Sequence, residues 1–153
     1  MAQIENPRKD FAFTLLIAPD PINPFLVQEV IIPESAHDVV EHGDINFDVK
    51  TAGRTKFTTI KLKKIMTTDG ADNYIWDWFL SCNDVIIGGG VPPGQYKKVI
   101  TIYELAEDQV SVLNTWVLNG CWPSKVGEMT LSRQGEDNTI ESIELCVDQI
   151  EKL

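Results

Sequence analysis

Apolar and polar positions alternate along most of this chain. In Phe11-Ala-Phe-Thr-Leu-Leu-Ile-Ala18 the residues Phe11, Phe13, Leu15 and Ile17 share one side, the period-two pattern of a strand with a buried face. Pro19, Asp20, Pro21 and Pro24 then enforce a loop, because proline fixes φ and removes a ladder donor. A second strand is expected from Phe25 to Ile32, ended by Pro33. From Glu34 to Thr55 the alternation weakens, and two short extended pieces, Asp38 to Glu41 and Ile45 to Lys50, flank Gly43. A long half-ordered stretch inside a domain is often functional. Lys56 to Ile65 reads as one strand, with Phe57, Thr59, Lys61 and Lys63 alternating against Thr58, Ile60, Leu62 and Lys64.

The period changes once. Thr68, Asp69 and Gly70 supply cap and turn chemistry, and Asp72 puts negative charge in a first helical turn. Tyr74, Ile75, Trp78, Phe79 and Cys82 then form an apolar stripe at helical spacing. A helix from Asp72 to Cys82 is expected to seal the core through Trp78 and Phe79. Beyond it, Tyr96 to Leu105 pairs with Val110 to Gly120 across the polar turn Ala106-Glu-Asp-Gln109. A shorter strand follows from Glu128 to Arg133. Gly135 to Asn138 turns the chain into a last strand, Thr139 to Val147. Trp116 and Trp122 are expected as core aromatics. Pro123 is expected to stop its strand, and Lys125 to reach a neighbouring carboxylate. Glu141 and Glu144 fall on opposite faces of the last strand. These elements predict a mainly β fold: an antiparallel β-barrel or sandwich with one α-helix packed across it, a single domain over residues 1–153.

Composition narrows the function. Thirteen Lys+Arg against 23 Asp+Glu give a net charge of −10 in 153 residues, with 43% hydrophobic residues, the balance of an ordinary soluble domain. A nucleic-acid binder usually clusters its cations. Here the densest group, Lys56, Lys61, Lys63 and Lys64, reads as a solvated strand face. Residues 1–10 carry no apolar run behind a basic start, so no secretory signal is expected. The run from Phe11 to Ala18 is far shorter than the roughly 20 residues of a membrane helix. Cys82, Cys121 and Cys146 fit thiols in a reducing cytoplasm.

Catalytic patterns are absent. His37 and His42 are five residues apart, which in extended chain puts the imidazoles on opposite faces and disfavours a metal site. Gly88-Gly89-Gly90 is followed by Val91-Pro92-Pro93-Gly94, a loop, where a phosphate cradle needs a helix N-terminus. There is no G-x-S-x-G, and Cys82 lies on the apolar stripe. No catalytic residue, cofactor or metal is expected.

One arrangement does carry a function. Thr115-Trp-Val-Leu-Asn-Gly-Cys-Trp-Pro-Ser-Lys125 is followed by Leu131 and by Asn138-Thr-Ile-Glu-Ser-Ile-Glu-Leu145. Upstream stand Phe25-Leu-Val-Gln-Glu-Val30, Leu62-Lys63-Lys64 and Ile75-Trp-Asp-Trp-Phe79. In this order, from about Phe11 to Glu151, the chain resembles the tail tube proteins of contractile phages and related contractile injection systems. It departs at Ile31-Ile32-Pro33-Glu34, after Lys64, and at Asp148-Gln149.

The resemblance implies a homo-oligomer: hexameric rings, their sheets joined into an inner barrel, stacked as a tube within a contractile sheath. Baseplate and terminator proteins would be further partners. DNA or an effector protein would pass the lumen without specific binding. It also implies synthesis in a bacterial cytoplasm, then incorporation into a virion or an injection particle, with no membrane insertion. Two segments are the expected interfaces. One is the uncharged first strand with Phe11 and Phe13. The other is a hairpin-like arm carrying Val39, Val40, His42, Ile45, Phe47 and Val49, whose apolar residues two strands alone cannot bury. The charge of −10 fits either an acidic lumen or an acidic outer surface. The competing reading is a monomeric β-sandwich that binds a ligand or carbohydrate, which would have to protect its strand edges.

Overall fold

A computed structural model describes residues 13–18, 27–65, 71–106, 108, 110–135 and 139–153. Its elements are β1 (Phe13–Ala18), β2 (Val27–Ile31), β3 (Ser35–Gly43), β4 (Asp48–Phe57), β5 (Ile60–Ile65), α1 (Ala71–Cys82), α2 (Pro93–Tyr96), β6 (Lys98–Leu105), β7 (Val112–Met129), β8 (Ile140–Cys146) and β9 (Gln149–Lys152). Phe11 and Phe25, the cap at Thr68 to Gly70, and parts of the turns around Glu107, Gln109 and Asn138 lie outside the described residues.

The spine of the fold is one long antiparallel ribbon. β7 has 18 residues; its second half pairs with β8 and its first half with β9, so that Met129 faces Glu141 and Trp116 faces Lys152. β8 and β9 are in effect one strand interrupted at Val147 and Asp148. At this level Gly120 takes φ +69°, a region open to glycine at little cost. The Asp148 N–H donates to the Asn119 carbonyl at 3.0 Å, and the Asp148 carboxylate lies over Gly120 while accepting from the Lys97 ammonium at 2.7 Å. β6 and then β1 extend the ribbon beside the first half of β7, and β5 and then β2 extend it beyond β8. All pairings are antiparallel.

Side chains from both halves meet in one core. Leu15, Ile17, Ile100, Ile102 and Leu118 come from the β1–β6–β7 half, and Ile60, Leu62, Ile143 and Leu145 from the other. α1 contributes Ile75 and Trp78, and the Trp78 indole N–H donates to the Tyr96 carbonyl at 2.6 Å. The described strands do not close on themselves: the path ends on β1 and β2. The mainly β class with a helix packed on it is as expected, realised as an open folded sheet.

Several boundaries differ from the sequence expectation. Lys56 to Ile65 is not one strand but two, separated at Thr58 and Thr59, where the chain passes from the arm to the sheet. Pro123 does not stop its strand: β7 runs from Val112 through it to Met129, so of the piece expected at 128–133 only Glu128 and Met129 are strand. Proline is tolerated at bulges and on open strand edges. The ladder shifts between Pro123 and Lys125, and β6 ends opposite Cys121. The last strand is followed by β9, and α2 adds a single turn between α1 and β6.

The aromatic expectations are met unevenly. Phe79 is only half-buried and stacks on exposed Trp76, ring centroids 5.6 Å apart, so Ile75 shares the sealing role with Trp78. Trp116 and Trp122 are half-buried: one packs against the core with Lys152 5.3 Å above its ring, the other meets the edge of Tyr96 at 6.2 Å.

Two substitutions test this account. Trp78→Ala removes a 3% exposed side chain and should cost about 3–5 kcal/mol; a thermal melt unchanged within a degree would mean the helix is not part of the core. Gly120→Ala should cost more than the roughly 1–2 kcal/mol of the left-handed conformation alone, because the new Cβ meets the Asp148 carboxylate. In an Asp148→Ala background the excess should disappear in a double-mutant cycle of denaturant melts.

Candidate assembly surfaces

The segment with weakened alternation is a two-stranded hairpin standing apart from the seven-stranded sheet. At about 3.3 Å per residue its nine and ten residues reach about 30 Å. The turn is not at Gly43 but at residues 44–47: the Asp44 N–H donates to the Phe47 carbonyl at 2.9 Å, and its carboxylate accepts the Ile45 N–H at 2.7 Å. Ile45 and Phe47 therefore crown the tip, 93% and 64% exposed, instead of belonging to the strand expected from Ile45.

Register assigns the faces of this arm. One carries Val39 beside Ala52 and Glu41 beside Lys50; the other carries Val40 beside Thr51 and His42 beside Val49. Val39, Val40 and Val49 are all exposed. Among the described residues this arm, with apolar side chains on both faces and a hydrophobic tip, pairs with no other strand, and exposed patches of this kind mark interaction sites. The register shift inserts Gly53 and Arg54 opposite Asp38, so β3 keeps its alternation and the two imidazoles lie on opposite faces. His37 Nδ1 is 2.8 Å from Thr55 Oγ1, and Lys56 pairs with Asp38 at 3.2 Å.

The sheet itself leaves edges open. Among the described residues no strand pairs with the outer side of β1, with the outer side of β2, or with β7 beyond Cys121 on the side that β6 vacates. β1 carries no charged residue, and Phe13 at its start is half-buried.

Between the edges of the second half runs a charged outward face. Ile31, Lys61, Glu144 and Lys125 form one cross-strand row, and Glu29, Lys63, Ser142 and Glu128 the next. Lys63 is 3.5 Å from Glu29, and Lys125 is 3.5 Å from Glu144, the carboxylate contact expected for Lys125. Three cations face three anions, so the wall is nearly neutral in a chain of net charge −10.

The fourth lysine of that cluster corrects the reading of a solvated face. Lys64 shares the core side with Ile60 and Leu62 and pairs with Glu141 at 3.7 Å, the two side chains 3% and 6% exposed. Glu141 Oε1 accepts the Gly127 N–H at 3.0 Å, inside a bulge between Lys125 and Glu128 where Gly127 has φ +86°. Opposite charges at core-side positions of two strands were the sequence signal for this pair.

Nucleophilic chemistry finds no support at Cys121 or Cys82. Burial pushes the Cys121 thiol up to about 12 and raises that of Cys82, and thiols held protonated this way are inert. The glycine run is a hydrogen-bonded turn: Gly88 N–H donates to the Asp84 carbonyl at 2.8 Å, and Asp84 N–H to the Gly89 carbonyl at 2.7 Å. It lifts Val85, Ile86 and Ile87 into solvent.

Comparison with known proteins places this geometry. A family profile described as the T4-like virus tail tube protein gp19 matches residues 9–151. No curated protein sequence matches the chain. Among solved structures it is similar to a chain of the sheath–tube complex of an extracellular contractile injection system in the extended state. The TM-score is 0.78 at 22% identity, over 98% of this chain and 93% of that one. It is similar also to a chain of the tube-terminating cap of the anti-feeding prophage, TM-score 0.81 at 17% identity, over 100% and 95%. With Hcp1 from Flavobacterium johnsoniae the TM-score is 0.59 at 13% identity, over 93% and 94%. At such identities the structural matches establish a shared fold, while the profile spans nearly the whole sequence. The chain belongs to the T4-like tail tube protein family.

Proposed function

We propose that this protein is the repeating subunit of an inner tube, forming hexameric rings that stack into a hollow cylinder inside a contractile sheath. The observation that carries this reading is an arm that pairs with no other described strand, on a chain whose family match is nearly full-length. A 30 Å hairpin with apolar residues on both faces is a liability for a monomeric binding module and an asset for a subunit that always meets copies of itself.

The edges support the same reading. Strand directions alternate through β7, β8, β5 and β2, so the open side of β7 on one copy continues the sheet antiparallel to β2 of the next. Such a head-to-tail contact closes into a ring when the rotation permits. In that ring the bulkier layer, with β1, β6 and α1, takes the larger outer circumference. The charged rows of Lys61, Lys63 and Lys125 against Glu29, Glu128 and Glu144 then line the lumen. A compensated wall holds neither DNA nor an acidic effector, since binding would require net phosphate neutralisation. This favours the acidic-exterior reading of the net charge: residues 73–96 hold two aspartates and no lysine or arginine.

Sheath, baseplate and terminator proteins are the proposed partners, in keeping with the particles from which the similar structures come. No helix among the described residues is long and apolar enough to cross a membrane, and bacterial cytoplasmic synthesis followed by incorporation into a particle fits the proposed role.

Purified protein should form rings or tubes under negative stain. A species that stays monomeric by light scattering at high concentration, with no incorporation into particles, would favour the β-sandwich module and defeat this assignment. Replacing residues 42–47 by a short turn should leave circular dichroism unchanged and abolish stacking; long tubes from the shortened protein would reduce the arm to a local loop.

A further inference from the structure

Lys64 and Glu141 are two charged side chains placed among Ile60, Leu62 and Ile143, and stability does not account for them. Replacing a buried ion pair by well-packed apolar residues is often neutral or stabilising. Glu141 does something an apolar residue cannot. Lying on β8, between β5 and β7, it faces Lys64 on one side and Met129 on the other. Its Oε2 lies 3.7 Å from the Lys64 ammonium, an ion pair without a hydrogen bond, and its Oε1 accepts the Gly127 N–H at 3.0 Å.

We propose that Glu141, anchored by Lys64, is a positioning residue for assembly that fixes where the open edge of β7 stops pairing. This rests on the tube reading above. Turned inward in the bulge, the Gly127 amide is unavailable to a strand arriving from outside. Bulges of this kind terminate pairing along an edge. The open stretch of β7 begins where β6 ends, opposite Cys121, so residues 122–126 lie between the two limits. That stretch is five residues long, matching the five described residues of β2. A neighbour's β2 therefore has one register in which it fills the edge, and Glu141 sets the far boundary of that register.

Two double variants separate the acceptor from the charge. Lys64→Met with Glu141→Gln keeps an acceptor for Gly127 and removes both charges. Lys64→Met with Glu141→Leu removes the acceptor as well. Both should melt near the wild type. The Gln variant should form tubes at the wild-type protein concentration, whereas the Leu variant should need at least about ten-fold more protein, about 1.4 kcal/mol in association, or yield irregular assemblies. Tubes from the Leu variant at the wild-type concentration would overturn the proposal, as would a folded Gln variant that fails to assemble. Gly127→Ala provides a second route that leaves the ion pair intact. Its Cβ would sit 3.9 Å from the Trp76 ring without a clash, while the left-handed conformation that holds the bulge becomes costly. Assembly unchanged in that variant would also count against the proposal. Wild-type protein that makes no tubes defeats the functional reading itself, a result distinct from any of these.

Discussion

Everything in this fold depends on a bend in one ribbon. A flat sheet with this strand order would expose an apolar face along its whole length. Because the β7–β8–β9 ribbon turns at Gly120 and Asp148, its two halves fold towards each other, and Ile100 and Leu118 share a core with Ile143 and Leu145. The bend is made by a backbone conformation that suits glycine and by a carboxylate lying where any side chain at 120 would point. The Lys97 contact holds that carboxylate from β6's side of the sheet. Among its described side chains α1 buries Ile75 and Trp78, so the helix completes a core that the ribbon has already defined.

The sequence was most legible where burial has a simple period. Ile60, Leu62 and Lys64 share one side of their strand in the bare alternation, and Tyr74, Ile75, Trp78 and Phe79 announce a helix without reference to anything else. The sequence misleads where the determining contact is distant or backbone-borne. Pro123 looks like a terminator unless one knows that β6 ends beside it. Gly43 looks like the tip of the arm, whereas Asp44 makes the turn with its own carboxylate. β9 is short and ends in charged Glu151 and Lys152, and it is a strand because the first half of β7 is waiting for it. Lys64 reads like its exposed neighbours because its partner, Glu141, comes much later in the chain.

The candidate surfaces divide along the same line. The arm's apolar residues stood out because nothing in the local pattern could bury them. The charged rows on the outward face were invisible, since they consist of side chains from four strands aligned only by register. Lys125 and Glu144 could be suspected of meeting, but not that they belong to a balanced wall with Lys61, Lys63, Glu29 and Glu128.

The separateness of the arm has a consequence for how this protein can change over time. Among the described residues β3 and β4 pair only with each other, so opening them is a local event that leaves the pairings around Ile100 and Leu145 in place. Substitutions at Val39, Ile45 or Phe47 escape the constraint that close packing imposes on the core. Contact specificity can drift while the scaffold stays fixed, and two lineages of this subunit can become unable to mix without either losing its fold.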